Sequence, residues 1–156
     1  MAPTLPKIGA IYAGDTVSKW RKIRVGGADT TAGTAGVDVV VALNTTTYTL
    51  VNVPKDMIIL GVATRISTAF SASVTLKIGD GDDDDCFTDS THIAPTVAET
   101  LGVFTPGFKA TMIAAAGGKQ YLAADTIDIV VGGATPATGV MDVLINYIDS
   151  AVNLLA

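Results

Sequence analysis

The sequence predicts an all-β protein in which two antiparallel sheets pack together, as in a sandwich or barrel. Three observations predict this class. Apolar and polar side chains alternate in several short segments, glycine-rich loops separate those segments, and helical signals are scarce. The 156 residues are 49% hydrophobic and 16% charged, which is enough apolar material to bury one continuous core. We therefore predict a single β-domain over residues 15–156.

The clearest predicted strand is 73–78, where Val74, Leu76 and Ile78 alternate with polar residues. A second alternation covers 125–131. Segments rich in Val, Ile, Thr and Tyr predict further strands over 37–43, 47–53, 57–66 and 139–148, and weaker patterns predict strands over 16–25, 109–115 and 119–122. The total is about eight or nine strands. The best helical pattern, over 94–101, predicts one or two turns at most.

The N-terminal residues 1–14 differ from the rest of the chain. Pro3, Pro6, Gly9 and Gly14 exclude a long regular element there, so we predict an extended arm. Such an arm reaches on the order of 45 Å when fully extended, which is enough to link neighbouring subunits. A frayed terminus is the alternative, and the pattern does not separate the two.

Composition excludes several classes of function. The formal net charge of −5 argues against a nucleic-acid partner. The apolar runs are too short to cross a bilayer, and no signal-peptide pattern is present. The single cysteine, Cys86, excludes an intrachain disulfide and is interpreted as a small apolar residue at the entrance to the core. The small share of charged residues predicts that neighbouring chains cover part of the surface.

The sequence offers no constellation of residues for catalysis. His92 is the only histidine and Glu99 the only glutamate, and no serine lies in a nucleophile elbow. None of the glycine-rich loops ends in the Gly-Lys-Ser or Gly-Lys-Thr of a phosphate-binding loop. We therefore predict that the protein is not an enzyme and requires no cofactor.

An acidic stretch stands out in this background. Residues 77–90 read KIGDGDDDDCFTDS, with five aspartates between positions 80 and 85. Asp80, Asp82 and Asp84 have the every-second-residue spacing with which a loop folds carboxylates around Ca²⁺. These three residues are the candidate metal ligands.

An EF-hand is excluded because its obligatory Gly and Glu positions hold Asp85 and Thr91. We favour a solvated turn that follows the strand over 73–78, in which Gly79 and Gly81 supply the turn geometry. A looser Ca²⁺ site remains the alternative.

A basic stretch runs against the acidic composition. Residues 18–25 read SKWRKIRV and hold four of the ten cationic residues and the only tryptophan. In a strand, one face would carry Trp20, Lys22 and Arg24, and the other would carry Val17, Lys19, Arg21 and Ile23. Trp and Arg are residues that protein interfaces use as anchors, so this strand is a candidate docking surface. The alternative is that Trp20 fills a gap at the edge of the core while the lysines stay in solvent.

The strand and turn pattern over about 45–149 resembles that of the small jelly-roll decoration, or cement, proteins of tailed bacteriophage heads. The resemblance is carried by the proline-containing arm, by the run TTTYTLVNVPKDMIILGVATRISTAFSASVTLKIGDGDDDD and by the closing ADTIDIVVGGATPATGVMDVLINYID. It implies an eight-stranded, two-sheet jelly roll and a homotrimer at three-fold or local three-fold positions. It also implies that the protein is made in the host cytoplasm, binds the major capsid protein and lies on the outer surface of the virion.

The resemblance also implies where contacts lie. The aspartate stretch is expected to face solvent or the trimer axis. Capsid or subunit contacts are expected at Pro3, Leu5, Pro6, Ile8 and Tyr12 in the arm and at Lys19, Trp20, Arg21, Lys22 and Arg24 in the basic stretch. Two alternatives stay open: another phage structural component, such as a head-fibre base or tail-associated protein, and a Ca²⁺-dependent carbohydrate-binding β-sandwich.

Overall fold

The structure is a computed structural model that describes residues 18–30, 36–91, 93–98, 105–106 and 118–149. These residues form strands and loops, with no helix among them. The strands are β1 (Lys19–Gly26), β2 (Val39–Val40), β3 (Thr46–Val53), β4 (Met57–Thr68), β5 (Val74–Asp80), β6 (Thr105–Pro106), β7 (Lys119–Gln120), β8 (Asp125–Gly133) and β9 (Val140–Asp149). No helix in the described part of the chain is long and apolar enough to cross a membrane.

The strands form two sheets. The larger sheet has the order β2-β1-β9-β4-β6, with β7 also paired to β4, and the smaller sheet has the order β3-β8-β5. The last two long strands, β8 and β9, are therefore central, and each lies between strands from the N-terminal half of the chain. The pairings of β1, β3, β4 and β5 with β8 and β9 are antiparallel, whereas β2 runs parallel to β1. This strand order and the antiparallel pairings confirm the predicted jelly-roll-like sandwich.

The core lies between the two sheets because alternate residues of each strand point inward. On β8, Ile127, Ile129 and Val131 are almost completely buried. The facing strand β9 contributes Met141, Val143 and Ile145, which belong to the same apolar cluster. Phe87, which is fully buried, extends this cluster beneath the loop that follows β5.

The long strands lie where the sequence predicts them, with ends that differ by one or two residues or, for β1, by three at its start. The predicted strand over 37–43 is wrong in its length, since only Val39–Val40 pairs with β1. Beyond it, the backbone N–H groups of Ala42 and Leu43 donate to the Tyr48 hydroxyl at 3.0 and 2.7 Å. A side chain therefore satisfies the donors that a longer strand would have used. The strand predicted over 109–115 lies outside the described residues.

The helix predicted over 94–101 is wrong within its described part. Residues 95–97 form a turn and bend, and Val97 N–H donates to Ala94 O at 3.1 Å. The carbonyl of Pro95 accepts a hydrogen bond from Phe70 N–H at 2.7 Å, which holds this segment against the end of β4. Competition from this tertiary hydrogen bond explains why the short helical pattern does not decide the structure.

Candidate functional site: the aspartate loop and the basic strand

The aspartate loop, residues 80–85, is held to the domain by its first residue. The Asp80 side chain is fully buried and forms an ion pair with Lys119 through Oδ2. The same oxygen accepts a hydrogen bond of 2.7 Å from the Tyr121 hydroxyl. Oδ1 accepts the backbone N–H groups of Asp82 and Asp83 at 3.2 and 3.1 Å. Both carboxylate oxygens therefore have partners, and Asp80 connects β5, the loop and β7.

Burial and the contacts around Asp80 shift the pKa values of Asp80 and of the groups next to it. Burial by itself would raise the pKa of Asp80, but the hydrogen bonds from Lys119 and Tyr121 outweigh it and lower that pKa below its usual value. Burial lowers the pKa of Lys119, whereas Asp80 raises it, and the net direction is upward. Burial, followed by proximity to Asp80, raises the pKa of Cys86 to about 12. Its thiol therefore stays protonated at neutral pH and lacks the reactivity of a catalytic cysteine.

The rest of the aspartate loop folds back over Gly79. A Cβ atom at Gly79 would lie 2.1 Å from the carbonyl oxygen of Asp83, so only glycine allows this approach. Asp82, Asp83 and Asp84 are exposed, and Asp84 forms a 3.2 Å ion pair with Lys77. The prediction of a solvated turn is thus correct for these three residues. It is wrong for Asp80, because Lys119 and Tyr121, almost 40 residues further along the chain, enclose that side chain.

The structure groups the acidic residues differently from their spacing in the sequence. Carboxylate oxygens of Asp80, Asp82 and Asp125 lie within 4.8 Å of one another, and those of Asp83, Asp84 and Asp85 form a second such group. Asp84 therefore belongs to a different group from the other two candidate ligands. Metal binding by Asp80, Asp82 and Asp84 stays the untested alternative to the solvated turn.

The basic strand is β1, and its two faces divide as the sequence predicts. Ile23 and Val25 are buried in the core, whereas Trp20 and Lys22 are exposed on the opposite face. The Trp20 side chain is not a core filler, since Trp20 is 58% exposed. By contrast, Cys86 is buried in the core cluster, as the sequence predicts.

Arg24 also lies on the outer face, where it binds a buried carboxylate. Its Nε donates to Asp142 Oδ1 at 2.8 Å, and Arg65 donates to Asp142 Oδ2. The Asp142 side chain is 0% exposed. Burial by itself would raise the pKa of Asp142, but the hydrogen bonds from both arginines lower it. This triad joins β1, β4 and β9, so Arg24 contributes to the fold as well as to the surface.

One edge of β1 has no strand partner along most of its length within the described residues. The backbone N–H and C=O of Arg24 point away from β9 and bond to Asp38 at 2.7 and 2.8 Å. Alternate residues of a strand point the same way, so the backbone groups of Trp20 and Lys22 also face this edge. Strand β2 covers the edge only at Val25 and Gly26. As far as the described residues go, the basic strand therefore presents an unpaired edge together with an exposed aromatic side chain.

Sequence reasoning missed several residues of these two sites. The sequence places Lys119 and Tyr121 in a weakly predicted strand. It places Arg65 and Asp142 in two strongly predicted strands. The sequence pattern gives none of these four residues a functional role. The ion pair of Asp142 could have been predicted, because a single acidic residue between Met141 and Val143 in a buried strand requires a cationic partner. The arm residues Pro3, Leu5, Pro6, Ile8 and Tyr12, and also His92, lie outside the described residues.

The lowered pKa values of the buried Asp80 and Asp142 predict how stability depends on pH. A carboxylate whose pKa is lower in the folded state stabilises the fold above its unfolded pKa of about 3.9 and loses this effect as the pH falls through the folded value. The free energy of unfolding should therefore fall below about pH 4. Urea unfolding measured from pH 7 to pH 2 should show a smaller fall for Asp80→Asn than for the wild type. Asp29→Asn, at an exposed loop residue, should show the same fall in stability with pH as the wild type. The same fall in Asp80→Asn would contradict the stabilising role given to the Asp80 carboxylate.

The described residues define a jelly-roll β-sandwich with an acidic loop on one sheet and a basic strand in the other. No protein-family model and no curated protein sequence matches the chain. Two solved structures contain chains of the same fold. A chain in the acidic stable capsid structure of Helicobacter pylori bacteriophage KHP30 has a TM-score of 0.55 and 13% identity, covering 88% of this chain and 91% of that chain. A chain in the capsid asymmetric unit of cyanophage Pam1 has a TM-score of 0.51 and 20% identity, covering 83% of each chain. At these identities the likeness establishes the fold.

Proposed function

We propose that this protein is a structural component of a phage virion, a decoration or cement protein that binds the outside of the head and stabilises it. The observation that carries the proposal is the likeness of almost the whole chain to chains of two phage capsid structures. The proposed partners are the major capsid protein and two further copies of this chain in a homotrimer. The proposal assigns no catalytic step, in keeping with the buried, protonated thiol of Cys86.

The basic strand is the proposed docking surface. The protein has a net charge of −5, yet β1 presents Lys22 and Arg24 on the same face as the exposed Trp20, with Lys19 and Arg21 exposed on the other face at the start of the strand. An exposed indole and a cluster of cations are suited to burial against an acidic or aromatic surface of a partner. The open edge of β1 adds backbone donors and acceptors that a partner strand can pair with.

The predicted arm, residues 1–14, is the second proposed contact, since it precedes in sequence the strand β1, which begins at Lys19. Contacts by Pro3, Leu5, Pro6, Ile8 and Tyr12 would thus lie next to those of the basic strand. Each contact contributes only a modest binding energy. In a trimer, however, three arms and three basic strands are linked, so once one of them has bound, the others bind more readily. Repeated over a symmetric shell, such contacts reinforce a container without any chemistry in the protein itself.

The test is cosedimentation of the purified protein with heads assembled from the major capsid protein of its own phage, followed by cryo-electron microscopy. We expect saturable binding and added density on the outer surface. Trp20→Ala should weaken binding by about 2 kcal/mol, the usual threshold of an interface hot spot, with little loss of stability. Leu43→Ala, which removes another exposed apolar side chain, is the matched control and should bind like the wild type.

Two results would contradict the proposal. One is added density inside the head in place of the outer surface, and the other is an absence of binding. The trimer is tested separately by light scattering during gel filtration, where the expected mass is three times the 15.9 kDa of one chain. A monomer at all concentrations would remove the trimer from the proposal.

A further inference from the structure

An apolar groove of about 70 Å³ lies between the two sheets at one end of the sandwich. Two exposed polar residues, Arg21 and Asn52, line part of it, so the groove opens to solvent. Its apolar lining comes from the end of β3, the start of β4 and the end of β9, and consists of Val51, Val53, Met57, Ile59, Ile145 and Tyr147. The volume is sufficient for an aliphatic side chain.

The apolar lining of the groove is only partly shielded from water. Val53, Ile59 and Ile145 are almost completely buried. Val51, Met57 and Tyr147 pack against the same core cluster, but they are only partly buried. Each of these three side chains therefore still exposes apolar area, and an apolar group placed in the groove would remove that area from water. The groove is thus an unfinished part of the core.

The chain passes the mouth of this groove where β9 ends. The last residue of β9, Asp149, pairs with Met57, which lines the groove, and Tyr147 lies two residues earlier. Residues 150–156 lie outside the described residues and follow directly from this point. Residues 152–154 can reach about 10–18 Å from Asp149, whereas Tyr147 lies about 7 Å back along β9. The segment is therefore long enough to return to the groove.

The sequence of this segment suits an apolar groove. Residues 150–156 read SAVNLLA. In an extended conformation Val152 and Leu154 share one face, whereas Asn153 and Leu155 share the other. One face therefore carries two aliphatic side chains that can enter the groove together.

The predicted arm is the other part of the chain that leads to this end of the sandwich, because Lys19 pairs with Tyr147. The residues just before Lys19, 14–18, read GDTVS and contain only one large apolar side chain, Val17. Polar groups without partners in an apolar groove are costly. The composition therefore favours the segment that follows β9 over the arm.

We propose that residues 150–156 turn back over the end of the sandwich and place Val152 and Leu154 in this groove of the same chain. In that position the segment covers the partly buried side chains around the groove and closes the core at this end. The two polar side chains at the mouth of the groove can donate hydrogen bonds to backbone carbonyl groups of the segment. The inference does not depend on the proposed role in a phage head.

The first experiment is thermal unfolding of the full chain. Leu154→Asp should lower Tm by about 3 °C or more, because it removes an apolar side chain from the groove and places a charge there. Leu155→Asp makes the same chemical change on the opposite face of the segment and is the matched control, with Tm expected within about 1 °C of the wild type. Equal Tm shifts in the two variants, or no shift in either, would overturn the proposal.

The second experiment couples the segment to the groove. In a Met57→Ala background the fall in Tm caused by Leu154→Asp should shrink by about half or more, because the two residues are then no longer in contact. In a Leu43→Ala background, where the exposed residue lies outside the groove, the fall should be unchanged. Equal falls in both backgrounds would mean that Leu154 packs elsewhere, contrary to the proposal.

The third experiment identifies the occupant by nuclear Overhauser effects between methyl groups and the Tyr147 ring. Contacts from Val152 and Leu154 are expected. In an equal mixture of isotope-labelled and unlabelled chains, these contacts should arise within one chain. Contacts only between chains would assign the groove to a second copy, and contacts from Val17 would assign it to the arm. Either result would overturn the proposal.

Discussion

Replacing Asp142 by alanine should lower the free energy of unfolding by about 3–5 kcal/mol, the range found when one partner of a buried ion pair is removed. Asp142 is completely buried and receives both Arg24 and Arg65. Its removal leaves two guanidinium groups, whose side chains are only 28% and 17% exposed, without their carboxylate. Urea unfolding at pH 7 measures this loss directly.

The matched control for this prediction is Asp29→Ala, at an exposed aspartate, which should change stability by no more than about 0.5 kcal/mol. A triple variant separates broken pairing from lost packing. Replacing Arg24, Asp142 and Arg65 together by apolar residues of similar size should restore most of the stability, because no buried charge is then left unpaired. If Asp142→Ala unfolds as the wild type does, the triad contributes nothing to the fold.

Replacing Asp80 by alanine should cost about 3 kcal/mol, at the lower end of the same range. The lower value is expected because the Lys119 side chain is 28% exposed and can turn towards water when its partner is removed. The Tyr121 hydroxyl and the backbone N–H groups of Asp82 and Asp83 also lose their acceptor. The aspartate loop should therefore become mobile, with faster amide hydrogen exchange at residues 81–85.

Asp82→Ala is the control for this prediction, since it removes a carboxylate from the same loop without breaking a buried pair. It should leave both stability and exchange close to the wild type. Equal effects of Asp80→Ala and Asp82→Ala would mean that the whole loop is solvated, as the sequence alone suggests. Asp80→Asn keeps the shape of the side chain but removes its charge. Its loss of stability should therefore be smaller than that of Asp80→Ala and larger than that of Asp82→Ala.

The class of fold and most of the long strands are predictable from the pattern of apolar and polar residues. Alternation is a local property: Val74, Leu76 and Ile78 must share one face of a strand wherever that strand packs. The same reasoning separated Trp20 and Lys22 from Ile23 on β1. It overestimated the strand over 37–43 and the helix over 94–101, where hydrogen bonds to the Tyr48 hydroxyl and from the Phe70 N–H outweigh local preference.

Which charged residues form ion pairs depends on how the strands pack and pair in three dimensions. Asp80 pairs with Lys119, and Arg24 pairs with Asp142, through strands that are far apart in the chain. The spacing of residues within one segment cannot predict these ion pairs, because burial of the whole core determines which strands pair and in which register. For the same reason, the burial that makes the ion pairs of Asp80 and Asp142 important is a property of the packed sheets and not of the acidic residues themselves.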